Sequence, residues 1–350
     1  MHIETIQITP EILSLIAEID EFKGAWRALG QLAPETLTSL KRVATIESIG
    51  SSTRIEGSKL SDQAISLLLT NLDVQKFTTR DEAEVAGYSE VMTIIFQNYQ
   101  DIPLTENYIQ QLHRMLLQYS TKDNWHSGSY KKTSNHVEAF DQDGKSIGVI
   151  FETASPFETP IRMAQLIEWA RQCFADKQLH PLLISAIVIV TFLALHPFQD
   201  GNGRLSRVLT TYLLLKEGYQ YVPYSSLEAV IEQNKEAYYL ALRQTQGTLQ
   251  TETPDWQPWL LFFLSALRQQ KQRLENKIAK EQLLMVQLPP LSLQIIALIQ
   301  SRGSITNSDI VAITNANRNT VKKHLETLVA KQYIQKNGQG KATWYSVILK

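Results

Sequence analysis

An apolar run free of charge, Leu182 to Leu195 ("LLISAIVIVTFLAL"), ends abruptly in "HPFQDGNGRLSR", residues 196–207, and a second apolar segment, "VLTTYLLLKEG", follows at once. The run is too short to span a bilayer comfortably, and Ser185 and Thr191 within it fit a helix buried in a protein core. A fold that sets a polar, turn-forming cluster between two buried helices has to satisfy that cluster with partners or expose it to a ligand.

Elementary chemistry favours a ligand. Pro197 steers His196 out of helical dihedrals, so the first helix is expected to stop there and present the imidazole at a helix–loop junction. Gly201 and Gly203 permit backbone conformations and close approaches that other residues resist. A second helix then starts near Arg204, and its free N–H groups and positive dipole end favour an anion. Arg204 and Arg207 lie three apart, on one face of that first turn. Cations there oppose the dipole and each other, which a polyanion such as a phosphate chain would explain. Asp200 beside it is a hard-oxygen ligand for Mg²⁺, and His196 a proton acceptor for an attacking hydroxyl. Taken singly, each residue has a structural alternative: a helix stop, an Asn-Gly turn, arginines paired with surface carboxylates. No G-x-x-x-x-G-K-[ST] occurs, which excludes a P-loop.

The surrounding chain is mainly helical. Helical periodicity runs from Thr9 to about Asn98, including "LSDQAISLLLTNL" with Ser61 at its N-cap position. Turn residues around Asp141–Gly144 with β-branched neighbours predict a hairpin or flap, in which Lys131, Lys132 and His136 read as solvated polar residues without assigned chemistry. Helices resume at Thr159 and continue to about Leu267, and a charged helical connector follows. After Pro289-Pro290 come three apolar-periodic segments and a hairpin pattern. Residues 286–350 hold eight Lys and Arg against Asp309 and Glu326, a net of +6, while the whole chain of 350 residues sums to −1. Three helices and a basic hairpin are similar to a winged helix-turn-helix with Asn317–Ala330 as recognition helix and Arg318, Lys322 and Lys323 as DNA contacts. A protein-binding module on the same scaffold is the alternative. The near-neutral whole gives no global pull toward nucleic acid or membrane. One cysteine, Cys173, excludes an internal disulfide framework and a multi-cysteine metal cluster. With no signal-peptide pattern in "MHIETIQITPEI", a cytoplasmic location without a membrane partner is expected.

The polar cluster also resembles the HxFx[D/E]GNGRxxR signature of Fic-domain proteins at every fixed position: His196, Phe198, Asp200, Gly201, Asn202, Gly203, Arg204 and Arg207. The resemblance implies a mainly α fold, a Fic-type helical core with a small β-hairpin flap, that transfers AMP from ATP to a protein hydroxyl and releases diphosphate. On these positions His196 is the general base, Phe198 packs into the core, and Asp200 holds Mg²⁺. The ATP site comprises Gly201, Asn202, Gly203, Arg204, Leu205, Ser206 and Arg207, with the arginines on the outer phosphates. A glycine at 203 fits AMP transferases; relatives that phosphorylate their target differ there. Tyr238 and Tyr239 match the tyrosine pair near the adenosine, although by pattern alone they are core aromatics. The segment "SGSYKKTSNHV" sits where the family's flap aligns a target segment by strand addition.

A second motif points to control. Thr53-x-x-Glu56 reads locally as a helix capping box. Beside a Fic core, Ser52-x-x-x-Glu56-Gly57 is similar to the family's inhibitory motif, and implies that Glu56 pairs with Arg207 and keeps it from the γ-phosphate of ATP, at which Glu56 would count among the ATP-site residues. The same glutamate could position a water that removes AMP. The expected organisation is an N-terminal helical region over residues 1–103, a Fic core over 104–264, a helical linker over 265–288 and a winged helix-turn-helix over 289–350. Expected partners are ATP, Mg²⁺, an unidentified target protein, DNA through the C-terminal region, and a second copy in a homodimer. Two other readings stay open: a de-AMPylating hydrolase, and a DNA-binding regulator whose Fic site only senses nucleotide.

Overall fold

The structure, a computed structural model, describes residues 2–28, 34–70, 77, 79–120, 122–140, 146–331, 333–340 and 343–347. The turn expected at Asp141–Gly144 lies outside the described residues. The chain divides into two compact units, Met1–Trp26 with Thr45–Lys271, and Arg27–Ala44 with Gln272–Lys350.

In order, the helices before the hairpin are α1 (Pro10–Ala28), α2 (Pro34–Ile55), α3 (Asp62–Thr70), α4 (Arg80–Asn98) and α5 (Glu106–Leu116). Ser61 caps α3 as its sequence predicts, accepting from the Ala64 N–H at 3.3 Å. Two strands, β1 (His136–Phe140) and β2 (Ser146–Glu152), form an antiparallel hairpin with two register shifts. Then come α6 (Thr159–Asp176), α7 (Pro181–Leu195), α8 (Asn202–Lys216), α9 (Leu227–Gln233), α10 (Lys235–Gln246) and α11 (Gln257–Gln287).

The apolar run is α7, and every residue from Leu182 to Leu195 except Thr191 is buried. A helix apolar on all sides has to be central, and α7 packs against α6, α8 and α10. Trp259 on α11 seals it, its indole N–H donating to Ala186 O at 2.7 Å. Helix α8 is buried almost throughout as well. The loop joining these two buried helices therefore starts and ends inside the core, which fixes the position of the polar cluster.

The second unit contains α12 (Pro290–Arg302), α13 (Asn307–Thr314), α14 (Arg318–Ala330) and a three-stranded antiparallel sheet, in which β5 (Trp344–Val347) lies between β3 (Ser304–Ile305) and β4 (Ile334–Asn337). It has its own core, built from Ile295, Ile299, Ile310, Val321, Leu325 and Ile334 among others. Thr306 and Asp309 form a capping box at the start of α13. Among the described residues no helix is long and apolar enough to cross a membrane.

Candidate active site

Helix α7 stops at Leu195, and His196 takes a left-handed conformation, φ 49° and ψ 58°. Its backbone N–H still bonds to Phe192 O at 2.9 Å, which closes the last turn. Three groups hold the loop that follows. Phe198 is fully buried and stacks on the His113 ring, with centroids 3.9 Å apart. Asn202 reaches back with both ends of its amide: Oδ1 accepts from the Phe198 N–H at 2.9 Å, and Nδ2 donates to Phe198 O at 2.7 Å. His113 Nδ1 accepts from the Gly128 N–H at 2.9 Å, which leaves Nε2–H to donate to Asp200 O at 2.9 Å.

Gly201 then turns the chain into α8 with φ 79°, a left-handed value that favours glycine. No side chain caps this helix, so its first N–H groups and positive end are open to an anion. They face a cavity of about 480 Å³ lined by Glu56, His196, Asp200, Gly201, Asn202, Gly203, Arg207, Tyr238 and Tyr239, with Glu236, Arg243 and Gln246 also on α10.

Inside this cavity His196 is a neutral base. Burial pushes its pKa down to about 4; the bond to Leu193 O opposes that and the charge of Lys131 adds to it. Nδ1 lies 3.3 Å from Leu193 O, and as donor to that carbonyl it leaves Nε2 the free acceptor. Arg207 is buried and held from three directions. Its Nε donates to Ser52 Oγ at 2.8 Å, and its Nη2 donates to Ser52 O at 3.0 Å and to Glu56 Oε1 at 2.7 Å. Burial works against the charge of Glu56, but Arg207 outweighs it and holds the carboxyl below its ordinary range. The glutamate sits against Gly203, where any Cβ would collide with its carboxylate. Gly203 thus makes room for Glu56 at the start of α8.

Asp200 lies in a ring of charges. Its Oδ2 is 2.7 Å from Arg80 Nη2 and 3.4 Å from Arg204 Nη2, while Glu84 lies 2.8 Å from Arg80 Nε and 3.1 Å from Arg204 Nη1. Burial raises the Asp200 pKa, but Arg204, the Gly201 N–H and Arg80 outweigh it and keep the carboxyl low. Mg²⁺ needs only one or two carboxylates when phosphate and water supply its other oxygens, so this ionised, partly exposed side chain fits it. No group of three or more His, Cys, Asp or Glu is arranged for a metal among the described residues.

The sequence-derived residues gather here with exceptions. Arg204 is only 2% exposed and does not line the cavity; it faces Glu84 and Asp200, and its Nε has no hydrogen-bond partner among the described residues. Leu205 is core, and Ser206 turns its hydroxyl to Gly203 O at 2.7 Å. Gly57 follows the end of α2 with φ 104°. The local capping-box reading of Thr53 is corrected: Thr53 lies in the last turn of α2, and its hydroxyl is 3.0 Å from both Ile49 O and Gly50 O. Lys131 is corrected too, since it is buried. Three residues were missed, Arg80, Glu84 and His113. Their partners in the loop and in α8 lie 85 to 120 residues away, and no local spacing announces them.

Comparisons with known proteins agree with this geometry. Residues 103–214 match the model of the Fic/DOC family, and residues 288–335 match a winged helix-turn-helix DNA-binding model. The chain is 26% identical over 230 residues to a protein adenylyltransferase Fic of Drosophila willistoni, covering 65% of this chain and 42% of that protein. It is 28% identical over 209 residues to the protein of the same name from Culex quinquefasciatus, covering 58% of this chain and 37% of that one. The chain thus spans less than half the length of these curated relatives. A Fic family protein from Desulfovibrio desulfuricans G20 shares the fold, with TM-score 0.63, 23% identity and coverage of 99% of this chain and 98% of that chain. A Fic domain containing signaling protein from Bacteroides thetaiotaomicron aligns at TM-score 0.58 and 27% identity over 75% of this chain and 94% of that one. Loop, cavity and comparisons converge: residues 103–214 are similar to the Fic/DOC family, and residues 288–335 to a winged helix-turn-helix DNA-binding domain.

Proposed function

We propose that this chain transfers AMP from ATP to a hydroxyl of a target protein or of itself, and that Glu56 restrains it. One observation carries the reading: a neutral His196, an uncapped helix N-terminus and an arginine occupied by a glutamate line the same cavity. The target hydroxyl gives its proton to His196 Nε2 as its oxygen bonds to the α-phosphorus. The bond from that phosphorus to the bridging oxygen breaks, and diphosphate leaves. The N–H groups at the start of α8 stabilise the charge on the phosphoryl oxygens, and Arg207 holds the phosphate tail once it is released from Glu56. Asp200 would hold Mg²⁺, which when bound neutralises phosphate charge. Tyr238, buried beside Arg207, and the more exposed Tyr239 form an aromatic wall suited to the adenosine.

Incubation of the wild type and of Glu56→Gly with α-labelled ATP, Mg²⁺ and target-containing lysate tests this. More label is expected with Glu56→Gly and none with His196→Ala. Loss of the main activity on removing Glu56, seen as failure to strip AMP from a labelled target, supports the hydrolase instead. For the second unit we propose duplex DNA as partner, because Arg318, Lys322 and Lys323 all stand exposed on α14 in a region with a net of +6.

A further inference from the structure

The backbone on both sides of His196 is gripped from the hairpin. Lys131 Nζ donates to Leu195 O at 3.0 Å, and the Lys131 backbone N–H donates to Pro197 O at 2.9 Å. Asn135 Nδ2 lies 3.4 Å from His196 O and donates to Phe198 O at 2.8 Å. Four consecutive carbonyls, residues 195 to 198, are therefore met by two side chains and one N–H of the segment leading into β1. A left-handed histidine needs such support, since a non-glycine residue keeps that conformation only where its surroundings fix it.

Lys131 is an expensive way to provide it. The side chain is buried, 3% exposed, and forms no ion pair among the described residues. Burial pushes its pKa down to about 8. Its ammonium has three donors, and three acceptors surround it: Leu195 O, Asn135 Oδ1 at 2.8 Å and Thr153 Oγ1 at 2.8 Å. Asn135 precedes β1 and Thr153 follows β2, so both roots of the hairpin meet on this one ammonium. An apolar side chain would fill the space without the desolvation cost, but it could not join the hairpin to the end of α7.

We infer that Lys131, with Asn135, is a positioning residue for the general base: it fixes the backbone that carries His196 and locks it to the hairpin, so that a target segment held by the hairpin meets the imidazole in a set geometry. This rests on the transferase reading. A buried clamp acting through the base should affect the chemical step and spare the nucleotide, because neither residue lines the nucleotide cavity.

The test uses the full chain in the Glu56→Gly background, with self-labelling from α-labelled ATP for kcat and binding of α,β-methylene ATP for affinity. Lys131→Met is expected to lower kcat by about tenfold to a hundredfold, the range for a misplaced reacting group, while analogue affinity stays nearly unchanged. Asn135→Ala should show the same split to a smaller degree, and it decides the matter if Lys131→Met fails to fold in a melting experiment. Unchanged kcat in both variants overturns the clamp, as does a fall in affinity that matches the fall in kcat. Labelling that persists in His196→Ala overturns His196 as the general base, and the clamp with it, whereas no labelling even in Glu56→Gly overturns the transferase reading itself. Labelling lost in His196→Ala but intact in the clamp variants overturns only the clamp.

Discussion

In the proposed reaction His196 accepts a proton near neutral pH, and its surroundings suit that role. The ring is neutral because burial opposes its charge, and the Leu193 carbonyl leaves Nε2 as the acceptor. His196→Ala should reduce AMP transfer by ~10²–10⁴-fold, the usual cost of losing a general base, while nucleotide binding, measured with a fluorescent ATP analogue, survives. His113 is neutral for the same reason, its pKa lowered by burial to about 4. Both groups titrate lower in the folded chain than at the ordinary 6.5, so the unfolded chain binds more protons between those values. Stability is then full above about pH 6.5 and falls as the pH drops toward 4. Melting temperatures across this window should show it, and His113→Gln, less stable at pH 7, should show a shallower acid fall. At this scale the sequence revealed His196 and Asp200 because one short string held both. It could not reveal His113, whose partner carbonyl is 87 residues away. It also left Arg204 on the same face as Arg207, because helical spacing carries no information about Glu84 arriving from α4.

Between elements, the decisive relation is that of the end of α2 to the start of α8. Arg54 anchors the α2 end with a two-point bond to Glu232 on α9, at 2.7 and 3.0 Å, and a further bond to Asp62 at 2.7 Å. Lys235 Nζ adds a bond to Ile55 O at 2.9 Å. Glu56 is thus delivered to Arg207 by a fixed helix end. Glu56→Gly should raise self-labelling well above wild type, and Arg207→Ala added to it should remove the gain, because Arg207 can serve either the glutamate or the phosphate tail. The two changes should be strongly non-additive, as for residues in direct contact. Label incorporation and melting temperature on the single and double variants check this; an earlier melt with no gain in labelling counts against the brake. The motif was legible through its resemblance, whereas local chemistry alone offered a capping box at Thr53. A capping box needs a helix start, and residue 53 closes a helix instead. Which end of a helix a Thr-x-x-Glu occupies depends on where the periodicity began, and α2 began at Pro34.

For the whole molecule, charge separates two regions. Residues 286–350 carry +6 and the remainder −7, although the chain is close to neutral. The asymmetry was visible before any coordinates, and so were the central buried helices, since both follow from residue type alone. The meeting of the hairpin with the loop after α7 was not, because it is made by a buried lysine that composition places in solvent. Deleting Val286–Lys350 should leave self-labelling measurable, since every residue lining the nucleotide cavity lies at or before Gln246. The DNA prediction rests on the exposed face of α14. Arg318 and Lys322 lie four apart and therefore on one side of that helix, and Lys323 is adjacent. Lys322 pairs with Glu326 at 3.9 Å with both side chains largely exposed, a pair too weak to hold it from a phosphate. Cations that bind phosphates release condensed counterions, so the logarithm of the affinity should fall with the logarithm of salt by about 0.9 per phosphate neutralised on duplex DNA. If these three side chains each meet a phosphate, substituting any one by alanine should flatten that slope by roughly 0.9. A titration of the full chain onto labelled duplex across a salt series measures it. Binding that ignores salt, or is absent at low salt, assigns this helix to a protein partner.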